Sequence, residues 1–570
     1  MFSLRTGLLL LGALNIIAVL VLVSNTNQNQ VQLASIENEN DYKFIDPDVS
    51  YDILELLDIP KQPNAPENPK EIFLGIKRDG EYCRKVRDRF VHNPEELFDG
   101  VLYLCDYKSY SLTRTTLPSI GTDKMPDITY ELPKQKRENP TFDLDVSINT
   151  IYTNRALHGK HFLFGKELVC LSQSYNHIPG IDFLNRKDKV AESVNLYARK
   201  YKSRPQCFDQ TKFFPRTWLL DEKVDCEEWF DIVNSPAYEA AKKNRTIVYI
   251  RKLGAGGHQG KGVEPVNEVE ENDIRQKYGN GTKCGKVKTT YIVQDYIHNP
   301  LLVMGHKFDF RVYMLIASTN PVIAYYHDGF LRVSLIEYNV TKNEKGMHLT
   351  NTHQSKKFLE KAIEEGANET ELMNFQMWNY TRLAKYLVSV GKIESEAWID
   401  DYLRPAFQHA MAHLIRMTQR GYYAHSSVWE MFGADFMLDE DLNLWFIECN
   451  SGPAIQGSNE EKTTFLKKML TELFEVVHNL LKSRMKRVVK YVNFLVKNRL
   501  IEVNSEDPEN VSVQLKKPEL RRKEFEDVIK NRFEEELEVS ADNGWVKIVD
   551  ENYEGLERYR GMIRTECFDT

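Results

Sequence analysis

The run FGADFMLDEDLNLWFIECN, residues 432–450, constrains the fold more than any other segment of this 570-residue chain. Two apolar segments flank the turn-rich DEDLN, which predicts a strand–turn–strand hairpin. Because side chains alternate between the two faces of a strand, Glu448 and Asn450 are expected on one face. Trp445, Ile447 and Cys449 are expected on the other. The hairpin therefore predicts one polar face and one apolar face.

Asp435, on the first strand of this hairpin, is expected to face Glu448 on the second. With the amide oxygen of Asn450, the two carboxylates form a set of hard oxygen ligands that suits Mg²⁺ carrying nucleotide phosphates. The alternative is a hairpin whose polar face is exposed to solvent and binds no metal. The motif alone does not choose between the two.

The chain is long enough for a sizeable core and about two to four domains. Its net charge of −8 at pH 7 lacks the basic field that a nucleic-acid partner requires, so no nucleic acid is expected. The eight cysteines form no CxxC pair and no metal-ligand spacing, so they do not fix the redox compartment. Cys449 lies inside the predicted polar-faced strand and is expected to be free.

The first 24 residues differ from the rest of the chain. Arg5 precedes residues 8–23, which are apolar except for Gly12 and Asn15. This segment is short for a spanning helix and long for the apolar part of a signal peptide, so residues 1–24 predict a cleaved signal or a signal anchor, with a buried helix as a third reading. The preceding positive charge predicts membrane attachment through residues 8–23, with the bulk of the chain in the secretory pathway or outside the cell.

Composition divides the remainder of the chain. Residues 25–72 are acidic and predict a linker or stalk. Residues 73–165 mix short apolar runs and predict a small N-terminal α/β domain. From 246 to 450, strand patterns alternate with longer helical ones, which predicts an α+β body. Within it, one helical stripe predicts core positions, namely Phe407, Met411, Leu414 and Ile415.

Residues 481–570 are highly charged and predict a helical C-terminal extension. Its first part, residues 482–499, carries lysines and arginines with no acid between them. Such a helix could attract an acidic tail. The alternative is a solvated helix face.

Three further segments suit nucleotide binding. An apolar strand ends near Lys252, and the glycines of LGAGGHQGKGV (253–263) would let backbone amides approach phosphate oxygens. This is neither a P-loop nor a Rossmann fingerprint, and Gly-rich hairpins are common. YIVQDYI (291–297) could offer polar groups to an adenine edge or be an ordinary strand. In KFDFRVY (307–313), alternation places Lys307, Asp309, Arg311 and Tyr313 on one face, which suits polyphosphate and its metal or a solvated strand face.

The order of these segments is more informative than any one of them. The glycine-rich loop with its lysine, QDYI, KFDFR, GFLR (329–332), HLTN (348–351) and the D…ExN of the hairpin resemble, in this order, the tubulin–tyrosine ligase-like family. Members are ATP-grasp ligases that add amino acids to tubulin. NHIPG (176–180), RKD (186–188) and FPRTW (214–218) are similar to that family's lead-in motifs. The resemblance implies an ATP-grasp-type ligase core over residues 166–480.

The resemblance implies a role for each matching residue, with ATP and Mg²⁺ as cofactors. The residues implied to contact the nucleotide are Lys252, Gln259, Gly260, Lys261, Gly262, Gln294, Asp295, Tyr296, Ile297, Lys307, Asp309, Thr350 and Asn351. The residues implied to hold magnesium are Asp435, Glu448 and Asn450. The residues implied to act in catalysis on phosphoryl or carboxylate groups are Lys252, Arg311 and Arg332. The residues implied to bind substrate are Arg332, Thr352, His353 and Lys356. Since none of the matched positions is degraded, an active enzyme is expected.

Two departures from the family pattern matter. Leu253 follows the lysine where the family usually has proline. Thr352 and His353 match neither the usual glutamylase pattern, Tyr-Ser, nor the tyrosine-ligase pattern, His-Cys. The added amino acid therefore stays open, with glutamate expected. A further family lysine is expected at Lys467 or Lys468.

We therefore expect an ATP- and Mg²⁺-dependent ligase that joins a free amino acid to the acidic tails of tubulin through an acyl phosphate. Tubulin as acceptor would place the protein in the cytoplasm, cytoskeleton or cilium, which conflicts with the N-terminal segment. Two alternatives remain. One is an ATP-grasp ligase acting on a non-tubulin substrate of the secretory pathway, and the other is a non-catalytic microtubule- or membrane-associated protein with the same fold.

Overall fold

The computed structural model describes residues 101–106, 111–115, 149–153, 173–178, 180–244, 248–255, 262–288, 291–319, 322–339, 352–422, 428–453, 455, 459–497, 501–503, 513–515, 539–550 and 567. At 101–106, 111–115, 149–153, 173–175, 244, 352–357, 482–497, 501–503 and 513–515 the description is of the backbone only. The predicted segments 1–24 and 25–72 lie outside the described residues, as do Gln259, Gly260, Lys261, Thr350 and Asn351.

A sheet with parallel pairing lies in the N-terminal part. Its strands are β1 (Val101–Asp106), β2 (Ser111–Thr115), β3 (Asn149–Thr153) and β4 (Gln173–Tyr175). Their order is β2-β1-β3-β4, with β1 antiparallel to β2 but parallel to β3, and β3 parallel to β4. Parallel neighbours need a crossover connection, which sets this sheet apart from the antiparallel pairing of the others. Of the predicted N-terminal α/β domain, residues 73–165, the structure describes the strands β1, β2 and β3.

A second sheet with its helices precedes the central sheet. The elements are α1 (Asp182–Asn185), α2 (Lys187–Lys200), a 3₁₀ turn (Gln210–Lys212), β5 (Thr217–Trp218), α3 (Lys223–Val233), α4 (Pro236–Asn244), β6 (Tyr249–Leu253), β7 (Val263–Pro265), α5 (Glu268–Lys277) and β8 (Tyr291–Asp295). The strands pair in the order β5-β8-β6-β7. Trp218, Trp229 and Tyr278 pack in its core, and a disulfide joins Cys226 of α3 to Cys284 in the same cluster.

The central sheet carries most of the core. Its region comprises β9 (Leu302–Val303), β10 (His306–Thr319), β11 (Val322–Glu337), α6 (Thr352–Glu364), α7 (Glu369–Gln376), β12 (Met377–Trp378), α8 (Tyr380–Ser389), a π-helical turn (Ile399–Leu403), α9 (Arg404–Thr418), a 3₁₀ turn (Gln419–Gly421), β13 (Glu430–Leu438), β14 (Leu444–Ser451) and α10 (Glu460–Lys497). The strand order is β12-β11-β10-β13-β14, with β9 pairing to β10.

The central sheet is apolar on both faces. Along β10, Phe308, Phe310 and Val312 belong to one core with α9, whereas Tyr313 and Leu315 belong to a second core with α10. This is the alternation expected of a strand. The predicted core stripe of α9 is confirmed, because Phe407, Met411, Leu414 and Ile415 are fully buried in the first core. The sheet is thus packed between α9 and α10. Because both of its faces are apolar, the polar side chains on its strands mark a candidate functional site.

The C-terminal part continues α10 to Lys497 and then contains strands in its described residues. After α10, the described residues form strands β15 (Ile501–Val503), β16 (Val513–Leu515) and β17 (Val546–Asp550). Strand β17 pairs antiparallel with β11, and its Ile548 and Val549 join the first core. A disulfide joins Cys207 to Cys567, whose carbonyl accepts a hydrogen bond of 2.9 Å from the Tyr201 hydroxyl. Residues 481–497 of the predicted extension are helical and belong to α10, whereas β17 was not predicted because an alternating strand can complete a sheet far away in sequence.

The fold is of the α+β class, with helices and mainly antiparallel sheets. Among the described helices, none is both long and apolar enough to cross a membrane. Residues 8–23 lie outside that search.

Candidate active site

The hairpin of β13 and β14 forms with the predicted register. Asp435 pairs with Glu448, and Gly433 pairs with Asn450. A β-bulge follows, because Phe436 pairs with Phe446 and leaves Ile447 as the extra residue. Bulges re-aim side chains and are common beside active sites.

The bulge corrects part of the predicted alternation. Leu444, Phe446 and Cys449 all belong to the same core, although Phe446 and Cys449 are three residues apart. Cys449 therefore does not share a face with Trp445 and Ile447, because the extra residue shifts the alternation by one position. Cys449 is free and buried, as expected.

Glu448 is held by a lysine and an amide. Lys187 Nζ lies 2.8 Å from Glu448 Oε2, and Asn450 Nδ2 donates to Glu448 Oε1 at 3.1 Å. Burial alone would raise the pKa of Glu448, but the charge and hydrogen bond of Lys187, with help from Asn450 and Lys252, lower this pKa to about 2. The carboxylate is therefore ionised at neutral pH and able to hold a cation.

Lys252 is a buried cation beside this carboxylate. It lies on β6, and its Nζ donates to Gln294 Oε1 on β8 at 2.5 Å. Gln294 Nε2 in turn donates to Thr217 Oγ1 at 2.8 Å. Burial, opposed by Glu448 and assisted by Lys187, lowers the pKa of Lys252 to about 8. A lysine whose partner is a neutral amide is poised to bind an anion.

A cavity lies where these groups meet. Lys187, Lys252, Gln294 and Glu448 line it together with apolar residues of α2 and β8 such as Val190 and Ile292. A few converging polar groups on an apolar wall are typical of a ligand site. The cavity lies between the second sheet and the β13–β14 hairpin, so both elements are needed to build it.

Lys307 is the second buried lysine of the site. Its Nζ lies over the rings of Tyr296 and Tyr338, at 5.0 and 5.7 Å from their centroids. Burial lowers the pKa of Lys307 to about 8, with Asp309 opposing and Lys252 assisting. Tyr296 follows Asp295 at the end of β8, and its backbone N–H donates to the Val248 carbonyl. The predicted adenine-side segment and the KFDFR strand therefore meet through Lys307.

A chain of alternating charges crosses three strands of the central sheet. Arg332 donates twice to Asp309, at 2.6 and 2.8 Å, and once to Asp435, at 2.8 Å. Arg311 donates twice to Asp435, at 2.5 and 2.9 Å. Asp309 is directly opposite Arg332, and Arg311 is directly opposite Asp435. Strand pairing thus places each arginine against its carboxylate, and the charge chain, defined as Asp309, Arg332, Asp435 and Arg311, is fixed by register.

Gly433 leaves space for the Arg311 side chain of the charge chain. A Cβ at Gly433 would lie 2.8 Å from Arg311 Cδ and 2.9 Å from Pro453 Cβ. Gly433 pairs with Tyr313 on β10, so the Arg311 side chain passes over it to reach Asp435. Gly433 of the FGAD sequence is therefore required because the Arg311 side chain lies too close to leave space for a Cβ atom.

Lys462 on the first turn of α10 lies beside the charge chain. Its Nζ is 5.2 Å from the centroid of the Phe330 ring, and Phe330 is directly opposite Arg311. Burial, followed by repulsion from Arg311 and Arg332, lowers the pKa of Lys462 to about 8. Lys468, one of the two positions expected for a further lysine, is itself largely exposed and pairs with the buried Glu472.

The lead-in motifs position these groups. His177 and the Ile178 N–H both bond to the Glu430 carboxylate at the start of β13, at 3.2 and 3.0 Å. The Lys187 N–H donates to the Gly254 carbonyl, and a Cβ on Gly254 would lie 2.8 Å from Asp188 Cβ. These contacts tie α2, β6 and β13 together around the cavity.

Not all predicted site residues meet in the described structure. Glu448 and Asn450 are in contact, whereas the Asp435 carboxylate is occupied by the two arginines. No group of three or more His, Cys, Asp or Glu side chains among the described residues could hold a metal ion. The donor set nevertheless fits Mg²⁺ in chemistry, because two carboxylates and an amide oxygen are carried at paired positions of one hairpin.

The remaining predicted residues lie in less central places. Gly262 is described, with a φ of +74° that suits glycine, at the end of the predicted loop. Ile297 follows Tyr296 and is partly exposed. Thr352, His353 and Lys356 lie in α6, described by backbone.

Sequence reasoning missed Lys187 and Lys462 as site residues. Lys187 lies in the RKD motif, and its position next to another cation, at the first residue of α2, was a signal that could have been used. Lys462 carries no local signal, because only the packing of α10 on the sheet brings it to Phe330.

Comparison with known proteins agrees with this geometry. A model of the tubulin-tyrosine ligase family matches residues 166–487. An inactive polyglycylase of Homo sapiens is 28% identical over 286 residues, which is 48% of this chain and 40% of the relative. Tubulin glycylase 3A of Drosophila melanogaster is 30% identical over 33% of this chain and 18% of the relative. A probable tubulin polyglutamylase of Caenorhabditis elegans is 25% identical over 56% of this chain and 70% of the relative.

The chain thus matches less than half the length of the human and fly relatives. The family model, in contrast, spans more than half of this chain and contains every element that carries the site, from α1 to the first turn of α10. This chain therefore belongs to the tubulin-tyrosine ligase family.

Proposed function

We propose that this protein is an ATP- and Mg²⁺-dependent ligase that joins a free amino acid to a carboxylate of a protein through an acyl phosphate. The observation that carries the proposal is the juxtaposition of two buried lysines and an ionised glutamate at one end of the site with the charge chain at the other. Phosphoryl transfer to a carboxylate brings together two anions, the carboxylate and the phosphate, which repel each other. Cations at both ends of the site would offset this repulsion and stabilise the charge of the transition state.

The nucleotide belongs to the end formed by Lys252 and Lys307 in an ATP-grasp-type core. Both lysines are buried cations that donate hydrogen bonds to neutral groups, Lys252 to Gln294 Oε1 and Lys307 to the Tyr296 hydroxyl. Glu448 and Asn450, with Asp435, would hold Mg²⁺, which when bound neutralises phosphate charge. The protein's own task is then to orient the phosphates and exclude water, since positioning provides most of the rate enhancement in such reactions.

The reaction is balanced without a covalent enzyme intermediate. An acceptor carboxylate oxygen attacks the terminal phosphorus of ATP, and the bond to ADP breaks. The amine of the amino acid then attacks the acyl carbon, phosphate leaves with the bonding electron pair, and the amine loses a proton to solvent. Arg311 and Arg332 are placed to stabilise charge in the first step because both are buried and fixed by bidentate bonds.

Tubulin is the first candidate acceptor and glutamate the first candidate amino acid. The relatives are named as tubulin glycylases and tubulin polyglutamylases. Glycine is therefore the alternative amino acid. Acidic tubulin tails would suit a ligase with cations near its site, and this acceptor would place the protein on the cytoskeleton.

Two disulfides within the described part of the chain favour a second candidate, a ligase that modifies an acceptor in the secretory pathway. Cys207–Cys567 and Cys226–Cys284 have Cα separations of 5.4 and 5.5 Å, the usual spacing for a disulfide. Stable disulfides are rare in the cytosol and common in oxidising compartments. The predicted N-terminal signal or anchor agrees with this candidate, which shares the reaction but not the acceptor.

Incorporation of labelled amino acids tests the proposal. The purified chain would be given ATP, Mg²⁺ and microtubules with glutamate, glycine or tyrosine, and in parallel the proteins of a secretory-pathway extract. We expect transfer of one amino acid that depends on ATP. Label on tubulin alone would support the first acceptor, and label on lumenal proteins alone would support the second. ATP binding with no transfer to either would contradict the ligase proposal.

A substitution tests the metal assignment. Glu448→Gln removes the charge of the ligand and keeps its shape, so we expect transfer to fall by at least about a hundredfold while the fold is retained. Circular dichroism would establish the fold and incorporation the activity. Transfer at the wild-type rate would rule out Glu448 as a metal ligand.

A further inference from the structure

Six asparagines of the chain are each followed, two positions later, by serine or threonine. They are Asn244, Asn280, Asn339, Asn368, Asn379 and Asn510, and in none of them is the intervening residue proline. This three-residue sequence is the acceptor for N-linked glycans in secreted proteins. A chain rich in asparagine contains several by chance, so the sequence alone assigns no site. In three of the six, the structure describes the side chains of both the asparagine and the threonine, at 280–282, 368–370 and 379–381.

The first of these three sites lies in the turn between α5 and β8. Asn280 and Thr282 are both exposed, and Asn280 has a φ of +52°, a conformation that asparagine tolerates better than most residues. Asn280 Oδ1 accepts a hydrogen bond of 2.8 Å from Arg275 Nη1. Among the described residues, none accepts a hydrogen bond from Asn280 Nδ2. The nitrogen that an N-linked glycan would occupy is therefore free, while the oxygen fixes the side chain.

The other two sites differ in how they use the amide nitrogen. Asn368 caps α7 with its oxygen, which accepts from the Thr370 and Glu371 N–H groups at 3.0 and 3.4 Å. Its Nδ2 donates to none of the described residues, and Asn368 and Thr370 are exposed. Asn379, in contrast, donates from Nδ2 to Glu461 Oε1 at 2.8 Å. Two of the three sites thus leave the amide nitrogen free to carry a substituent.

A disulfide closes the turn that carries Asn280. Cys284, two residues after Thr282, is bonded to Cys226 of α3. Stable disulfides form in the secretory pathway, where N-linked glycans are also attached. The apolar segment at residues 8–23 predicts entry into that pathway. Two observations that are independent of the acceptor sequence therefore agree with glycosylation.

We propose that Asn280 and Asn368 carry N-linked glycans. The donor would be a lipid-linked oligosaccharide diphosphate. A bond forms between asparagine Nδ2 and the anomeric carbon of the first sugar, the bond from that carbon to the diphosphate oxygen breaks, and the nitrogen loses one proton. The inference needs the compartment of the second candidate acceptor but not the ligase reaction. The cavity of the active site is lined by other segments, including α2, β6 and β14.

Peptide mapping of the full chain, expressed with its own N-terminus in cultured eukaryotic cells, tests the assignment. An amidase that removes N-linked glycans in heavy-oxygen water converts each modified asparagine to labelled aspartate, and a sample without the amidase is the control. We expect labelled aspartate at both positions and increased electrophoretic mobility. Asn280→Gln and Thr282→Val should each remove the mobility shift of one glycan, whereas Thr282→Ser should keep it. Asn272→Gln changes an exposed asparagine of α5 that lies outside any acceptor sequence and should leave the shift unchanged.

The wild-type peptides decide the inference, so a variant that fails to fold does not obscure the result. Unmodified asparagine at both positions would overturn it, whether or not the Cys226–Cys284 disulfide has formed. A glycan at one position alone would overturn the assignment of the other. The ligase proposal is tested separately, because failure of amino-acid incorporation would leave the glycans in place and absence of the glycans would leave the incorporation result unchanged.

Discussion

The two ends of the active site use cations in different ways. At the cavity end, Lys252 and Lys307 are buried against a neutral amide and tyrosine groups, and the pKa of each is lowered to about 8. At the other end, Arg311 and Arg332 are bonded bidentately to aspartates, and these carboxylates raise the pKa of both arginines against the effect of burial. Lysine is thus found where a ligand is to bring the negative charge, and arginine where geometry is to be preserved.

The largest loss of stability is expected from removing an arginine of the charge chain. Arg332→Ala would leave Asp309 without its bidentate partner and Asp435 with one partner fewer, both in buried positions. Removing one member of a buried ion pair costs about 3–5 kcal/mol. Urea unfolding would measure this loss.

The control for that measurement is an exposed pair. Lys361→Ala removes an ion pair with Glu365 whose side chains are about 70% exposed, and we expect a change within about 0.5 kcal/mol. Equal effects for Arg332→Ala and Lys361→Ala would show that the charge chain is not structural.

A smaller effect is expected from moving one arginine without removing it. In Gly433→Ala, the new methyl group would meet Arg311 and Pro453 at less than 3.0 Å. We expect a loss of about 1–3 kcal/mol, as for overpacking, together with reduced ligation because Arg311 is displaced. Unfolding and incorporation assays would be run on one preparation. Full activity in Gly433→Ala would mean that the position of Arg311 is not critical.

The smallest effect is a pH dependence confined to the lysine end. If ATP binds the protonated lysines as proposed, its affinity should be constant below about pH 7 and fall above pH 8, by up to about tenfold per pH unit for each lysine that titrates. Equilibrium binding of ATP across this range would measure the fall. Lys252→Arg, which stays charged, should fall less steeply.

Stability without ATP should change in the opposite direction. The native pKa of Lys252 is about 8 and its ordinary value is 10.5, so between these values the unfolded chain binds more protons. Stability therefore rises with pH across that window. Parallel declines of ATP affinity and of stability would show general unfolding instead of lysine titration.

The sequence was sufficient for the features that depend on local periodicity. The pairing of Asp435 with Glu448, the shared face of the KFDFR residues and the buried stripe of α9 follow from strand and helix repeats. The bulge at Ile447 could not be anticipated, because an extra residue in one strand is set by its pairing partner.

Long-range features were also beyond local reasoning. Lys187 meets Glu448 across more than 250 positions, and β17 completes the sheet at β11 from the far end of the chain. The cysteine pairing was equally open, since eight cysteines allow many connectivities. The ATP-grasp core, the magnesium ligands and the domain boundaries stay predictions.

The Cys207–Cys567 disulfide determines how this protein would respond to mechanical force. Its sequence separation of 360 residues encloses the central sheet and, apart from Lys187 and its helix α2, the residues of both ends of the active site. If the chain were pulled from residues outside this loop, tension would pass through the two sulfur atoms and bypass everything between them. About 1,200 Å of contour length would remain locked until a reductant cut the bond. A chain that is tethered at one end and loaded at the other would thus keep its catalytic sheet out of the line of force.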